Sequence, residues 1–214
     1  LRLLDVRLDV SGVLPPKPVL LVANHVSWLD IVVIHSIEAV RFVSKADVQR
    51  WPVVGNLVAE AGTLFIERNN LRDTLRVMHD VAQMLREGAS VALFPEGTTG
   101  GGRTLLPFHA GLMQAAVAAR VPAQPVALRF SDRHASFSAA AAYMGATSLV
   151  ASLWRIACAD GLVAHVTLLP PLEAARQDRR ALAAAARASI QADLDASALE
   201  GEDVEAAAGV LALA

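Results

Sequence analysis

Apolar and polar residues alternate at the start of the chain, and continuous apolar runs follow at intervals. The alternation over Leu3–Val10 predicts a half-exposed strand, because successive side chains of a strand point to opposite faces. Apolar runs between turn-forming residues predict buried strands. These runs are Val19–Ala23, Arg41–Ser44, Thr63–Ile66, Ser90–Phe94, Ala123–Phe130 and Val163–Leu169.

Apolar residues at helical spacing are found between these runs. A helix is predicted from its cap, Asn70, to Gly88, since one face is apolar and the other carries arginines and an aspartate. Further helices are predicted to about Glu38, over Ala110–Arg120 and from about Leu172 to Asp195. Strands that alternate with helices indicate an α/β fold, a single layered domain with a mostly parallel central sheet flanked by helices.

Composition places the chain among globular proteins. Of its 214 residues 54% are apolar and 19% charged, which excludes a disordered or collagen-like chain. We expect one domain over residues 1–196 and a flexible acidic, alanine-rich tail over residues 197–214. The 19 basic and 21 acidic residues give no sign of a nucleic-acid partner. The single Cys158 excludes an internal disulfide and a cysteine metal site, and its apolar neighbours predict that it is buried.

The weakly polar stretch Ala139–Trp154 falls short of the roughly 18–20 apolar residues that a membrane span needs. Glycine, threonine and serine interrupt this stretch, which favours a packed or membrane-surface helix. The chain begins at Leu1 instead of Met, so we expect that an N-terminal piece is missing. Any membrane anchor held in that piece would not appear in this sequence.

The first group of chemically capable residues is Asn24–Asp30, where a buried strand passes into a helix. Such strand ends hold the ligand sites of open α/β sheets. The spacing lets the Asp30 carboxylate fold back onto one ring nitrogen of His25, which would leave the other nitrogen as a base for a hydroxyl. On spacing alone an alternative stands, in which His25 caps the helix and Asp30 is a first-turn acid favoured by the helix dipole.

Two further segments place charged residues after strands. Arg68 follows the strand Thr63–Ile66, and its guanidinium fork could hold a phosphate. Glu96 follows Phe94 in a tight Pro-Glu-Gly turn, in which Gly97 allows the close approach of a substrate. Each alone is compatible with an ordinary solvated charge. Their occurrence in a fixed order, each after a strand, favours a site.

With these residues in view, the sequence resembles the 1-acylglycerol-3-phosphate acyltransferases, the PlsC-like enzymes among the glycerophospholipid acyltransferases. Four ordered motifs carry the resemblance. They are N-H-x-x-x-x-D over Asn24–Asp30, G-x-x-F-I-x-R over Gly62–Arg68, F-P-E-G-T over Phe94–Thr98, and an apolar-proline strand over Gln124–Ala127. A lysine block is similar at Lys45–Asp47, and the resemblance spans roughly residues 18–130.

The resemblance implies transfer of a fatty acyl group from acyl-CoA or acyl carrier protein to the free hydroxyl of 1-acylglycerol-3-phosphate. The product would be phosphatidate, for phospholipid biosynthesis. His25 would take the hydroxyl proton while Asp30 holds its ring. The acceptor and its phosphate would be bound by Arg68, Lys45, Glu96, Gly97 and Thr98. No metal or cofactor is implied, since the acyl thioester is itself a substrate.

Both substrates of such an enzyme carry long acyl chains, so the resemblance implies work at a membrane surface. We expect this to be the cytoplasmic face of a bacterial inner membrane. Trp28, Trp51 and the Ala139–Trp154 stretch could form the apolar contact. The plainer alternative makes Trp51 and Trp154 core residues.

Two departures from the family pattern put the acceptor in question. Gly100 stands where members often carry serine, and His109 stands where they usually carry lysine or arginine. An imidazole is largely neutral at pH 7, so a head-group contact there would be weaker or pH-dependent. The turn Leu106–Phe108 also looks like that of enzymes that acylate lyso-ornithine lipid, which keeps this acceptor as an alternative. Further alternatives are a non-catalytic lipid-binding module and a thioester hydrolase, although the chain lacks a nucleophile elbow.

Overall fold

Parallel strands form the centre of the molecule. The computed structural model describes residues 1–45, 64–66 and 71–211. Its strands are β1 (Arg7–Gly12), β2 (Leu20–Ala23), β3 (Arg41–Lys45), β4 (Leu64–Ile66), β5 (Val91–Leu93), β6 (Ala123–Ser131) and β7 (Val163–Leu168). Within the described residues they make one seven-stranded sheet in the order β1-β7-β6-β2-β5-β3-β4. Neighbours are parallel, except that β6 and β7 run antiparallel.

Helices cover both faces of this sheet. They are α1 (Leu29–Ile37), α2 (Leu71–Arg86), α3 (Gln114–Ala119), α4 (Leu149–Ala157) and α5 (Arg179–Leu211). Short 3-10 turns lie at Arg2–Leu4, Ala110–Met113 and Ala174–Arg176. The core is divided accordingly. Of its two larger apolar clusters, one includes residues of α1 and α4 and the other includes residues of α2, α3 and α5, and a small third cluster adds residues further along α5.

Strand β2 shows why the two clusters form. All four of its residues are buried, and they contribute alternately to the two faces of the sheet. Leu21 and Ala23 join the cluster under α1, while Leu20 and Val22 join the cluster under α2. A strand buried on both faces must be apolar at every position, as its sequence is. The predicted α/β layered fold is confirmed.

Two predicted elements, the first strand and the last helix, need correction near their ends. The first strand was expected over Leu3–Val10, but the chain opens with a 3-10 turn closed by Asp5 in a left-handed conformation, and β1 starts at Arg7. The last helix starts at Arg179, where Asp178 accepts hydrogen bonds from the backbone of the first turn. It runs to Leu211 instead of ending near Asp195, because alanine-rich sequence without proline sustains a helix.

The stretch Ala139–Trp154 is not one helix. Helix α4 begins only at Leu149, where the Ser148 side chain accepts a hydrogen bond from the backbone of Ala151. Ahead of it, Gly145 adopts a φ of +60°, a left-handed conformation that interrupts a helix. No described helix combines the length and apolar character needed to cross a bilayer.

The predicted burial of Cys158 is wrong, and so is the alternative that makes Trp154 a core residue. Cys158 and Trp154 are both exposed, Trp154 by 71%. The inward face of α4 is set by Ser152 and Ile156, which lie one turn apart and are buried. Residues two positions from Ile156 point to the opposite side of the helix, so an apolar neighbourhood in sequence does not bury them.

Candidate active site

Loops after β2 and β5 meet at one edge of the sheet. The two strands are neighbours and run parallel, with Leu20 paired to Val91. Their carboxyl ends therefore open at the same place, which is where open α/β sheets hold ligands. This arrangement brings His25 and Glu96 together although 71 residues separate them.

Asn24 anchors the first loop to the sheet. Its amide nitrogen donates to the Leu128 carbonyl at 2.9 Å, and its side-chain oxygen accepts from the Leu128 N–H at 2.7 Å. The side chain thus continues the pairing of β2 with β6 beyond Ala23, which pairs with Val126. A carboxamide offers one donor side and one acceptor side, as a peptide group does. The motif's asparagine therefore builds the frame of the loop, a role that the sequence analysis did not assign.

His25 and Asp30 form the predicted pair. The Nδ1–H of His25 donates to Asp30 Oδ2 at 2.8 Å. The same oxygen also accepts the backbone N–H groups of Val26 and Ser27, at 2.7 and 2.9 Å. Asp30 is fully buried, whereas the His25 side chain keeps 18% of its surface exposed. The predicted geometry is confirmed, and the alternative of His25 as a helix cap is not, since α1 starts after Trp28 without a side-chain cap.

The His25 ring is held on its face as well as at Nδ1. It stacks on Phe94 with ring centroids 4.0 Å apart and an interplanar angle of 13°. Because Nδ1 carries the proton donated to Asp30, Nε2 of the neutral ring is an unprotonated acceptor. Among the described residues Nε2 has no hydrogen-bond partner. The sequence analysis missed the part of Phe94, whose only signal was its place at the head of the F-P-E-G-T motif.

Glu96 braces the second loop against the first. It is 6% exposed, and its carboxylate accepts the His25 N–H through Oε1 and the Leu106 N–H through Oε2, both at 2.8 Å. Burial raises the pKa of Glu96, and these two hydrogen bonds oppose the rise. Gly97 completes the turn with a φ of +77°, which favours glycine. In the structure Glu96 holds the two loops together through these hydrogen bonds. Its contact with an acceptor head group stays a prediction.

The glycine-rich loop closes over the His25 turn. The N–H of Gly100 donates to the His25 carbonyl at 2.7 Å. A Cβ on Gly102 would lie 3.2 Å from Val26, so glycine allows the loop this close approach. The Thr99 hydroxyl donates to the Tyr143 carbonyl, and the Tyr143 N–H donates to the Val26 carbonyl at 3.0 Å. The segment around Tyr143, in which the sequence showed no motif, is thus part of the wall of the candidate site.

Comparison with known proteins identifies the family. The profile of the family described as Acyltransferase matches residues 7–129, more than half of the chain. The chain belongs to the acyltransferase family. The matched range contains each motif on which the resemblance rests, so that resemblance is confirmed.

Two curated relatives of this acyltransferase carry different acceptor names. The chain is 38% identical over 182 residues to a lyso-ornithine lipid O-acyltransferase of Pseudomonas aeruginosa, and the match covers 85% of this chain and 70% of that one. It is also 38% identical over 195 residues to a 1-acyl-sn-glycerol-3-phosphate acyltransferase of Neisseria meningitidis, covering 90% and 76%.

A solved structure shares the fold of the acyltransferase. The 1-acyl-sn-glycerophosphate acyltransferase PlsC from Thermotoga maritima superposes with a TM-score of 0.65 at 17% identity. The match covers 90% of this chain and 72% of that chain.

The structure describes only some of the remaining predicted site residues of the acyltransferase. Thr98 is exposed at the loop that follows Glu96. Lys45 ends β3, which lies beside β5, so its backbone reaches the same edge of the sheet. Arg68 lies outside the described residues, as does Trp51, and their predicted contacts stay predictions. Within the described part of the chain, no three side chains of His, Cys, Asp or Glu come together as a metal site requires.

Proposed function

We propose that this acyltransferase moves a fatty acyl group from an acyl thioester to the free hydroxyl of 1-acylglycerol-3-phosphate, forming phosphatidate. The observation that carries the proposal is the His25–Asp30 pair, in which a buried carboxylate fixes the ring at Nδ1 while the His25 side chain keeps 18% of its surface exposed. The relative from Neisseria meningitidis, named for this acceptor, supports the choice of lysolipid. The donor would be acyl-CoA or acyl carrier protein, and the enzyme would work at the cytoplasmic face of the inner membrane.

The chemistry follows from the geometry of the pair. Nε2 of His25 takes the proton of the acceptor hydroxyl as its oxygen attacks the thioester carbonyl. The buried charge of Asp30 stabilises the imidazolium that forms. Collapse of the tetrahedral intermediate breaks the C–S bond, and the imidazolium returns the proton to the leaving thiolate, whose ordinary pKa is about 8.5. The ester, the free thiol and neutral His25 complete the cycle.

Direct transfer is favoured over an acyl-enzyme on serine. Ser27 is the hydroxyl nearest in sequence to His25, but it is fully buried and its Oγ has no hydrogen-bond partner among the described residues. A nucleophile needs contact with both a base and the substrate. Ser27 has neither, so the acceptor hydroxyl itself would attack.

The oxyanion of the tetrahedral intermediate needs hydrogen-bond donors, and backbone amides of these loops are candidates. The N–H groups of His25, Val26, Ser27 and Gly97 are all engaged within the loops. The backbone amides of Thr98 and Thr99 have no acceptor within the described ranges, and they would be the donors in this part of the site. Arg68 and Lys45 would hold the acceptor phosphate.

A second acceptor is favoured by a specific observation. The lyso-ornithine lipid O-acyltransferase of Pseudomonas aeruginosa is as similar to this chain, at 38% identity, as the phosphate-named relative. That lipid presents a carboxylate and an amine in place of a phosphate. The His25 chemistry would be the same, and only the head-group contacts would differ.

The test is thiol release from an acyl thioester with lysophosphatidate, with lyso-ornithine lipid or with no acceptor. Release that requires lysophosphatidate supports the proposal, and release that requires the ornithine lipid replaces the acceptor. His25→Ala should lower the rate by about 10²–10⁴-fold, since base catalysis supplies about that much. His79→Ala, at an exposed histidine of α2, is the matched control. Acceptor-independent release would indicate a hydrolase, and unchanged turnover of His25→Ala would contradict the mechanism.

A further inference from the structure

Helix α4 presents an apolar face to solvent. Val150 and Trp154 lie one turn apart on this face and are 76% and 71% exposed. Met144, on the loop before the helix, is 47% exposed. We call these three residues the Trp154 patch. Exposed large apolar side chains that lie together, as Val150 and Trp154 do, mark interaction surfaces.

The Trp154 patch adjoins the candidate active site. Tyr143, next to Met144, is bonded through its backbone to Val26 and to Thr99. On the inner side of α4, the Ser152 hydroxyl accepts the Trp28 indole N–H at 3.0 Å. The segment that carries the patch is therefore fixed against both loops of the His25 site.

The chain segment that carries the patch has basic side chains and no acidic one, although Asp132 and Asp160 border it. Residues 133–159 contain Arg133, His134 and Arg155 but no aspartate or glutamate. Arg133 pairs with Asp160 at 3.3 Å, just beyond this segment. Arg155 is exposed on α4 and donates at 3.0 Å to Thr147, whose hydroxyl donates in turn to the Met144 carbonyl. An apolar patch with a cationic flank complements an anionic lipid surface.

The size and composition of the patch favour a bilayer over a protein partner. A standard protein interface takes about 800 Å² from each partner, far more than three side chains provide. A bilayer needs only a few inserted side chains, and tryptophan is enriched at the level of the lipid headgroups.

We propose that the Trp154 patch docks this acyltransferase on an anionic lipid bilayer, beside the loops that carry His25. The proposal rests on the proposed function, because a lysolipid acceptor resides in the membrane. Trp154 and Val150 enter the headgroup region, and Arg155 faces the anionic headgroups. The acceptor hydroxyl then reaches His25 while its acyl chain stays in the leaflet.

Vesicle binding tests the surface directly. The chain is sedimented with phosphatidylcholine vesicles that contain or lack phosphatidylglycerol. We expect binding that increases with phosphatidylglycerol, and a loss of about tenfold to a hundredfold for Val150→Ser/Trp154→Ser, the effect of removing two apolar side chains that are each about half inserted. The control Leu75→Ser/Leu199→Ser changes two residues that are 62% and 65% exposed on other helices. Equal losses in both variants would overturn the proposal, as would full binding by the first.

Fluorescence and kinetics separate this proposal from the proposed function. Brominated lipids should quench the wild-type emission, and Trp154→Phe should remove the vesicle-dependent part. With a monomeric short-chain lysophosphatidate, Val150→Ser/Trp154→Ser should retain wild-type turnover, while transfer to vesicle-borne lysolipid falls about tenfold or more. Vesicle binding through Trp154 without any acyl transfer would contradict the proposed function but would still support membrane docking by the Trp154 patch. Quenching that persists in Trp154→Phe would overturn the surface.

Discussion

One oxygen atom of Asp30 organises the centre of the candidate site. Oδ2 accepts three hydrogen bonds, from the His25 ring and from the backbone of Val26 and Ser27. Its other oxygen, Oδ1, is buried without a hydrogen-bond partner among the described residues. The carboxylate therefore shapes the turn and orients the ring through the same atom, and its charge lies beside the ring that would become an imidazolium.

Asp30→Asn separates the shape of this turn from its charge. The amide oxygen can keep the three bonds of Oδ2, so the fold should persist. The amide nitrogen would occupy the place of Oδ1 without an acceptor, at a cost of about 1–3 kcal/mol in the free energy of unfolding. Turnover at saturating substrates should fall by about 10²-fold or more, since no charge stabilises the imidazolium.

Steady-state turnover and urea unfolding measure these two effects. Asp80→Asn, which changes a half-exposed acid of α2, is the matched control and should alter neither by much. Wild-type turnover by Asp30→Asn would show that the charge is not needed.

At this scale the sequence predicted contacts that are local. His25 and Asp30 lie on the same turn, so their spacing alone was informative. The stacking of Phe94 on His25 was not predicted, because it depends on which strands are neighbours. Cys158 was wrongly predicted as buried, since its exposure depends on how α4 is turned about its axis.

Between elements, the Asn24 side chain joins β2 to β6 where their backbones part. Both of its hydrogen bonds go to the peptide groups of Leu128, and Asn24 is 1% exposed. A side chain in this role must supply a donor and an acceptor together.

Asn24→Asp tests this role with almost no change in shape. An aspartate would set an oxygen against the Leu128 carbonyl and bury an unpaired charge, so the free energy of unfolding should fall by at least about 1–3 kcal/mol. Activity should fall with it, since the His25 loop loses its frame. Urea unfolding is the measurement, and Gln114→Glu, the same change at an exposed position of α3, should cost little. An unchanged midpoint for Asn24→Asp would refute the role of the amide.

Element types were predicted better than element ends. A continuous apolar run identified β2, which is buried on both faces, and apolar residues at helical spacing identified α2, which buries one face. The start of α4 was missed, since it depends on Gly145 and the Ser148 cap rather than on hydrophobicity.

Across the molecule, a polar relay ties three strands at one side of the sheet. His165 on β7 donates from Nδ1 to Asp9 on β1 at 3.0 Å. Its Nε2 accepts the Ser131 hydroxyl of β6 at 2.8 Å. Burial lowers the pKa of His165, as does the Arg129 cation, and the bond to Asp9 opposes them.

This lowered pKa makes stability depend on pH. Below about pH 6.5 the unfolded chain takes up a proton on His165 before the folded chain does. The free energy of unfolding should therefore fall as the pH drops from about 7 towards 5, and be fully recovered above that range. His165→Gln should show a shallower fall in urea unfolding across this range, whereas the exposed His79→Gln should follow the wild type. Parallel curves for His165→Gln and the wild type would exclude this source of pH dependence.

The fold class was predictable from the sequence, but the order of the strands in the sheet was not. Alternating strands and helices indicated a mostly parallel sheet, which is confirmed. That β6 and β7 pair antiparallel was not predicted, because pairing between distant strands is decided by packing that local patterns do not record. The edge position of β1 was likewise outside the reach of the sequence.

The bond from Asn24 to Leu128 spans 104 residues, and this span governs when the site can exist during synthesis. A nascent chain has the His25 and Asp30 side chains early, and their pairing closes only a short loop. Fixing that turn in place waits for β5, which brings Glu96, and then for β6, because distant contacts form only after the intervening loop has closed. A ribosome-bound chain should therefore remain inactive until β6 has emerged and joined the sheet.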